Sequence, residues 1–280
     1  MFRLMLMLIL LFFPLTAAQA SEHRLTYDVY AGGVHAMQAN LSINQKKSAY
    51  KLSLNVETYG LLKSLADWRG RFSSHGVRVS SALHKPRQHI SEAIWRGELE
   101  KKTYNYNQAG HLISYTVIEN GQNRTPEDTD PSLFKNTTDI LSATLDVIDD
   151  LRVNDKGNKT RTIFDGDRNF NAIFKAAGTE ILKQTKYNIY AGKSILCTIE
   201  VKPNGGKWHK KPRGWLSIQE QGRKAGTMPT IWFAKLSADP SAPYMPVKLR
   251  VKTDYGTLFM HLTSYKDSIK PPSKGKKTTP

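Results

Sequence analysis

Tyr50, Leu52, Leu54 and Val56 alternate with Lys51, Ser53, Asn55 and Glu57. That period of two commits the stretch to a strand with one face on a core and the other in water. The same pattern recurs through the chain. Residues 24–31 and 36–43 read as strands joined at Gly32-Gly33, a hairpin signal. Residues 77–80, 103–106, 111–119, 160–164, 216–218, 230–233, 247–251 and 257–262 continue it, with turns at 107–110 and at Asn120-Gly121. Residues 121–137 hold Pro126 and Pro131 and read as a loop. One stretch has helical spacing instead: Ile140, Leu141, Leu145, Ile148 and Leu151 form a single apolar stripe. Thr137 or Thr138 can cap it, with Asp139 near the positive end of the dipole. Many antiparallel strands and one amphipathic helix predict a mainly β fold. The expected form is a large curved sheet or half-barrel, with the helix covering its concave face.

The ends of the chain carry an address rather than a fold. A short basic start at Arg3, an apolar run over residues 4–15 and the small residues of Ala18-Gln19-Ala20 read as a secretory signal peptide. The run is too short to remain as a membrane span, so cleavage is expected between Ala20 and Ser21. Residues 21–265 are expected to form one β-rich domain in the periplasm. Residues 266–280, rich in Lys and Pro, read as a disordered basic tail. The formal charge of +17 favours anionic partners, of which an exported protein meets envelope lipid far more than nucleic acid. Cys197 is the only cysteine and sits in a β-like run. It reads as a buried small hydrophobe, with a disulfide-linked dimer or a reactive thiol as alternatives.

Several segments in order resemble a known family. They are Tyr27-Asp28-Val29-Tyr30-Ala31-Gly32-Gly33, then Glu57-Thr58-Tyr59-Gly60-Leu61-Leu62 and Ala66-Asp67-Trp68-Arg69-Gly70. Asp130-Pro131, Thr138-Asp139-Ile140-Leu141-Ser142-Ala143 and Ile163-Phe164-Asp165-Gly166-Asp167-Arg168-Asn169-Phe170 follow. Pro246-Val247-Lys248-Leu249 and Tyr255-Gly256-Thr257-Leu258 close the series. This resembles the proteobacterial periplasmic proteins of domain-of-unknown-function family 3108. The resemblance implies a periplasmic location and a mostly β fold, and it carries no activity. More loosely, an exported curved sheet plugged by a helix is similar to the lipoprotein- and lipid-carrier half-barrels of the Gram-negative envelope.

Candidate chemistry is sparse. Asp165, Asp167 and Asn169 have calcium-loop spacing, but Phe170 and Ala176 stand where that loop needs Gly and Glu, so a tight turn is expected. The eight histidines show no zinc spacing, and His84 and His89 flank Pro86 in an expected loop. No Gly-x-Ser-x-Gly elbow is present. Adjacent Asp149 and Asp150 diverge on the helix, which suits a solvated end. No cofactor, metal or catalytic residue is assigned. The most unusual segment holds Lys207, Trp208, His209, Lys210, Lys211, Arg213 and Trp215, in which cations and aromatic rings together can grip a phosphorylated head group. Trp68, Ile140, Leu141, Leu145, Phe164, Phe170 and Trp232 are the candidates for lining an apolar cavity. The leading expectation is a non-enzymatic binder of an amphipathic or anionic envelope lipid or glycolipid, its chain held between sheet and helix. The alternatives are an envelope scaffold with a filled core, touching a protein partner, and a hydrolase of envelope polymers.

Overall fold

The computed structural model describes residues 21–210, 215–253 and 256–269. Among the described residues, fifteen strands form one sheet. The first meander comprises β1 (Ser21–Ala31), β2 (Val34–Gln45), β3 (Ala49–Thr58), β4 (Trp68–Ser80), β5 (Leu83–Trp95), β6 (Glu98–Tyr106), β7 (Leu112–Glu119) and β8 (Gln122–Asn123). The second comprises β9 (Thr137–Thr138), β10 (Lys159–Phe164), β11 (Arg168–Leu182), β12 (Gly192–Gly206), β13 (Thr230–Lys235), β14 (Tyr244–Thr253) and β15 (Gly256–Ile269). Each meander runs in sequence order and is antiparallel, apart from a short parallel β9–β10 pair. The two meet where β1 pairs with β15, from Ser21↔Ile269 to Ala31↔Leu258. That ladder takes in residues 266–269, so the strand extends into the expected tail, while residues 270–280 lie outside the described residues.

Two-residue strands, β8 and β9, form the edges of this sheet. The sheet rolls until β6 and β7, near one edge, meet β10, near the other. The inner faces of β6 and β7 then rest on Phe164, whose ring lies 6.3 Å from Tyr104, 5.1 Å from Tyr115 and 5.0 Å from Phe134. Phe134 belongs to a 3-10 turn (Pro131–Phe134) in the connection between the edges. The seam is therefore sealed by side chains, a second small core distinct from the main one.

Among the described residues, three α-helices accompany the sheet: α1 (Gly60–Leu65), α2 (Ile140–Asn154) and α3 (Trp215–Lys224). The cap of α2 is Asp139, whose side chain accepts from the Ser142 N–H at 2.9 Å. Thr137 and Thr138, the expected caps, lie instead in β9. Leu141, Leu145, Ile148 and Leu151 are buried against the sheet, whereas Ile140 is 40% exposed and leaves the expected stripe. The helix α3 replaces an expected strand at 216–218. Beyond the Thr198↔Thr230 pair β12 outruns β13, and Gln219 of α3 takes the missing strand's place. Its amide accepts from Val201 N at 2.7 Å and donates to Val201 O at 2.6 Å.

Candidate functional site

The helix α2 carries two kinds of stripe. Leu141, Leu145 and Ile148 share one line, and Ser142, Asp146 and Asp149 share the next, one residue further along at the same spacing. Inside a rolled sheet both lines are buried. Buried carboxylates need partners; strands β4, β5 and β10 supply them, and β3 supplies one for Ser142. Asp146 accepts from His84 N at 2.7 Å and from Arg161 Nε at 2.6 Å, with His84 Nδ1 at 2.8 Å. Asp149 lies 3.4 Å from His84 Nε2, 3.4 Å from Arg78 and 3.3 Å from Arg152. Tyr50 and Ser142 hydroxyls are 2.6 Å apart. Burial first, and then the Asp139 charge, drives the Tyr50 hydroxyl pKa far above its ordinary value.

Asp149 and Asp150 do diverge, but both are buried rather than solvated. Asp150 contacts Lys159 at 3.0 Å and Asn154 at 2.8 Å. Burial works against its charged form, and those hydrogen bonds outweigh it, so the carboxyl stays below its usual range. His84 and His89 lie in β5, not in a loop, and both are buried. Ser74 Oγ donates to Asp139 at 2.6 Å and sits 2.7 Å from His89 Nδ1. This groups Ser, His and Asp, yet not as a hydrolytic triad. There the imidazole bridges the other two through its two nitrogens; here His89 Nδ1 faces both, 3.5 Å from Asp139, and Ser74 is 1% exposed. The network fastens α2 to the wall.

Above α2 the concave face changes character. Near the helix the inward residues Leu25, Tyr27, Ile43, Leu52 and Leu262 are sealed. Towards the rim carrying the β1–β2 and β3–β4 connections, Leu54, Val56, Phe72, Phe170, Leu249 and Met260 are partly buried, among Val29, Thr58 and Val251, which are buried. Trp68 and Phe72 close over Gly70, where an added Cβ would lie 2.7 Å from the Trp68 ring and 2.8 Å from Phe72. The basic loop stands at this same rim. Trp208 is held by Arg168, 4.3 Å above its ring, by Phe170 at 6.3 Å and by a 2.9 Å bond from Nε1 to Gly205 O. Lys207, His209 and Lys210 are exposed beside it, Trp215 opens α3, and Lys211 and Arg213 lie outside the described residues.

The sequence model of a family described as a protein of unknown function, DUF3108, matches residues 26–263. The chain belongs to the DUF3108 family. Comparison with curated proteins returns no match. Among solved structures, it is similar to a β-barrel-like protein of the domain of unknown function DUF1849 from Brucella abortus. The identity is 9%, the TM-score 0.46, and the match covers 88% of this chain and 98% of that one.

Within this DUF3108 fold, two of the expected cavity residues lie elsewhere. Phe164 seals the seam. Trp232 points to the outer face, its Nε1 donating to Glu180 at 2.8 Å and its ring 4.5 Å from Lys248. Aromatic spacing alone could not say which face each ring would take. Leu141 and Leu145 sit in the sealed core under α2, which leaves no room there for a chain. Asp165 forms a turn, accepting from Asp167 N, Arg168 N and Arg168 Nε at 3.3, 3.2 and 2.9 Å. Among the described residues, no group of three His, Cys, Asp or Glu is placed to hold a metal. No described helix is long and apolar enough to cross a membrane.

Cys197 is fully buried, and burial, followed by the Asp150 charge, pushes its thiol up to about 12. A buried thiol with almost no thiolate is a poor nucleophile. The folded protein should therefore resist a thiol reagent at pH 8 and react once denaturant is added. Full labelling of the folded chain would place Cys197 at the surface.

Proposed function

We propose that this protein is a non-enzymatic, exported binder of an amphipathic envelope molecule with an anionic head. The ligand's apolar part enters the upper half of the rolled sheet, above α2, and not the space between helix and sheet. Its head meets Arg168, Lys207, Trp208 and Lys210. The observation that supports this most is the divided concave face. It is sealed around α2 and lined above it by partly buried apolar side chains, next to the basic loop. Each methylene of a ligand chain covered there contributes about 0.8 kcal/mol. Export is argued from residues 1–20, and the anionic head of the ligand from the net charge of +17. The buried, inaccessible Ser74 argues against hydrolysis. One observation favours the scaffold reading instead, namely the complete packing beneath α2, where Leu145 and Leu151 are 0% exposed.

Organic extraction of the purified protein, followed by lipid mass spectrometry, separates the two. One lipid per chain is expected, falling about tenfold or more when Leu249 and Met260 are both changed to Glu. Lys207→Glu with Lys210→Glu, at exposed positions, should weaken binding of anionic lipid without altering the fold. A clean extract from folded wild-type protein would overturn the proposal and leave the scaffold.

A further inference from the structure

Among the described residues, five of the twelve exposed large apolar side chains lie together at one rim. Val34, Tyr59, Leu61, Leu65 and Trp95 are 59%, 48%, 73%, 65% and 47% exposed. They lie in or next to three neighbouring connections on the upper rim: Val34 opens β2 after the β1–β2 turn, Tyr59, Leu61 and Leu65 lie in the β3–β4 connection with α1, and Trp95 ends β5. The connections are fastened to one another. Tyr59 stacks on His35 at 4.2 Å and its N–H donates to Ala36 O at 2.9 Å. Arg96 donates to Leu65 O at 3.4 Å and, through its N–H, to Asp67 O at 3.0 Å. It also lies 5.6 Å from the Trp95 ring. The helix α1 buries none of its residues. Leu62 is half-buried, whereas Leu61 and Leu65 face solvent, so the fold does not account for those two.

We propose that this rim docks on the surface of a lipid bilayer, with Leu61, Leu65, Val34, Tyr59 and Trp95 entering the headgroup layer. Three features select a bilayer over a protein partner. The side chains stand on the tips of three neighbouring hairpins at one rim, with Leu61 and Leu65 on the exposed helix α1. Leu with Trp and Tyr, beside Arg96 and the ion-paired Lys63 and Arg69 with Glu57 and Asp67, is a composition that the membrane interface accepts. The net charge of +17 draws the chain to anionic lipid. Docked in this way, the open half of the sheet faces the lipid from which a ligand would be taken. The inference rests on the proposed function for its purpose, and its test does not need the ligand.

Full-length mature protein is floated with vesicles of phosphatidylethanolamine and phosphatidylglycerol. Wild-type protein is expected to float, and Leu61→Asp with Leu65→Asp to lower the bound fraction about tenfold or more. Both sites are exposed, so an unchanged melting curve is expected for the variant. Val79→Asp, at 52% exposure on the opposite rim, should float like wild type. Failure of wild-type protein to float overturns the inference, as does equal flotation of the Leu61/Leu65 variant. So does a wild-type dimer that this variant dissociates without any vesicle binding, which would make the patch an interface between copies. Lipid extraction of the same variant reports on the cavity separately, and its lipid content should be unchanged.

Discussion

Changing Asp146 to Asn is expected to destabilise the protein by about 3–5 kcal/mol, the cost of breaking a buried ion pair from one side. The replacement keeps the volume and removes the charge. Asp146 is 1% exposed and answers three donors: the His84 backbone, the His84 ring and Arg161 Nε. An asparagine has one oxygen for them, and its NH2 group would face another donor. Arg161 is then left with its charge half-buried and without a carboxylate, and α2 loses one attachment to β5 and one to β10, keeping Asp149 beside His84 and Asp150 on Lys159. For a domain of this size the melting temperature should fall on the order of 10 °C. Thermal and urea denaturation measure it. A loss below about 1 kcal/mol would mean that water replaces the carboxylate and that the network is not what holds the helix. Adding Arg161→Gln should cost less in the Asp146→Asn background than in wild type, because the two residues form one unit.

The loss also reaches the proposed cavity. Its floor is the first turn of α2, where Ile140 is exposed and Asp139 is tied to Ser74. An amphipathic helix resting only on apolar contacts could slide along a curved sheet. The stripe of Ser142, Asp146 and Asp149, matched to Tyr50, His84 and Arg78, fixes its register, which is the best-attested use of buried polar groups.

Most of the strands were legible because alternation is a local property. Leu52 and Leu54 face inwards whatever the rest of the chain does. The hairpins at Gly32-Gly33 and Asn120-Gly121 were legible because positive φ needs Gly or Asn: Gly32 has φ 58° and Asn120 φ 48°. What failed depended on partners distant in sequence. Asp149 and Asp150 read as solvated because a lone helix shows water its polar side. Only a wall that wraps around α2 buries every side, and that wrapping comes from the pairing of β1 with β15. The signal was still present, since residues 142, 146 and 149 repeat the spacing of 141, 145 and 148.

Pro86 misled in another way. It reads as a breaker between His84 and His89, but it sits opposite Gly76 at a register shift, where a missing N–H is tolerated. Gly76 is needed there because an added Cβ would collide with the Lys85 carbonyl. At residues 216–218, alternation over three positions is also compatible with a helix, and the gap between β12 and β14 decides for the helix. The basic loop was legible as unusual. Its attachment through Arg168 and Phe170 was not, since those residues are far away in sequence.

Phe164→Ala is expected to cost about 3–5 kcal/mol, as for other buried aromatic truncations, and to do so at one place. The edges β8 and β9 have two residues each, so the ladder hydrogen bonds there are few. A rolled sheet with such edges would unroll unless something else joined them. Phe164 is 4% exposed and packs edge-to-face with Tyr104, Tyr115 and Phe134, contacts worth about 0.5–1.5 kcal/mol each beyond burial. Its removal leaves a hole that Leu133 and Phe134 cannot fill, because Leu133 is tethered by its carbonyl to Asn169 at 3.1 Å. Amide exchange should therefore accelerate in β6, β7 and β10 while the β1–β2 and β1–β15 ladders keep their protection. Even acceleration across all strands would show instead that the sheet opens as a whole and that the seam is no weaker than its ladders. Confined acceleration would identify the seam as the place where this rolled sheet can part without unfolding.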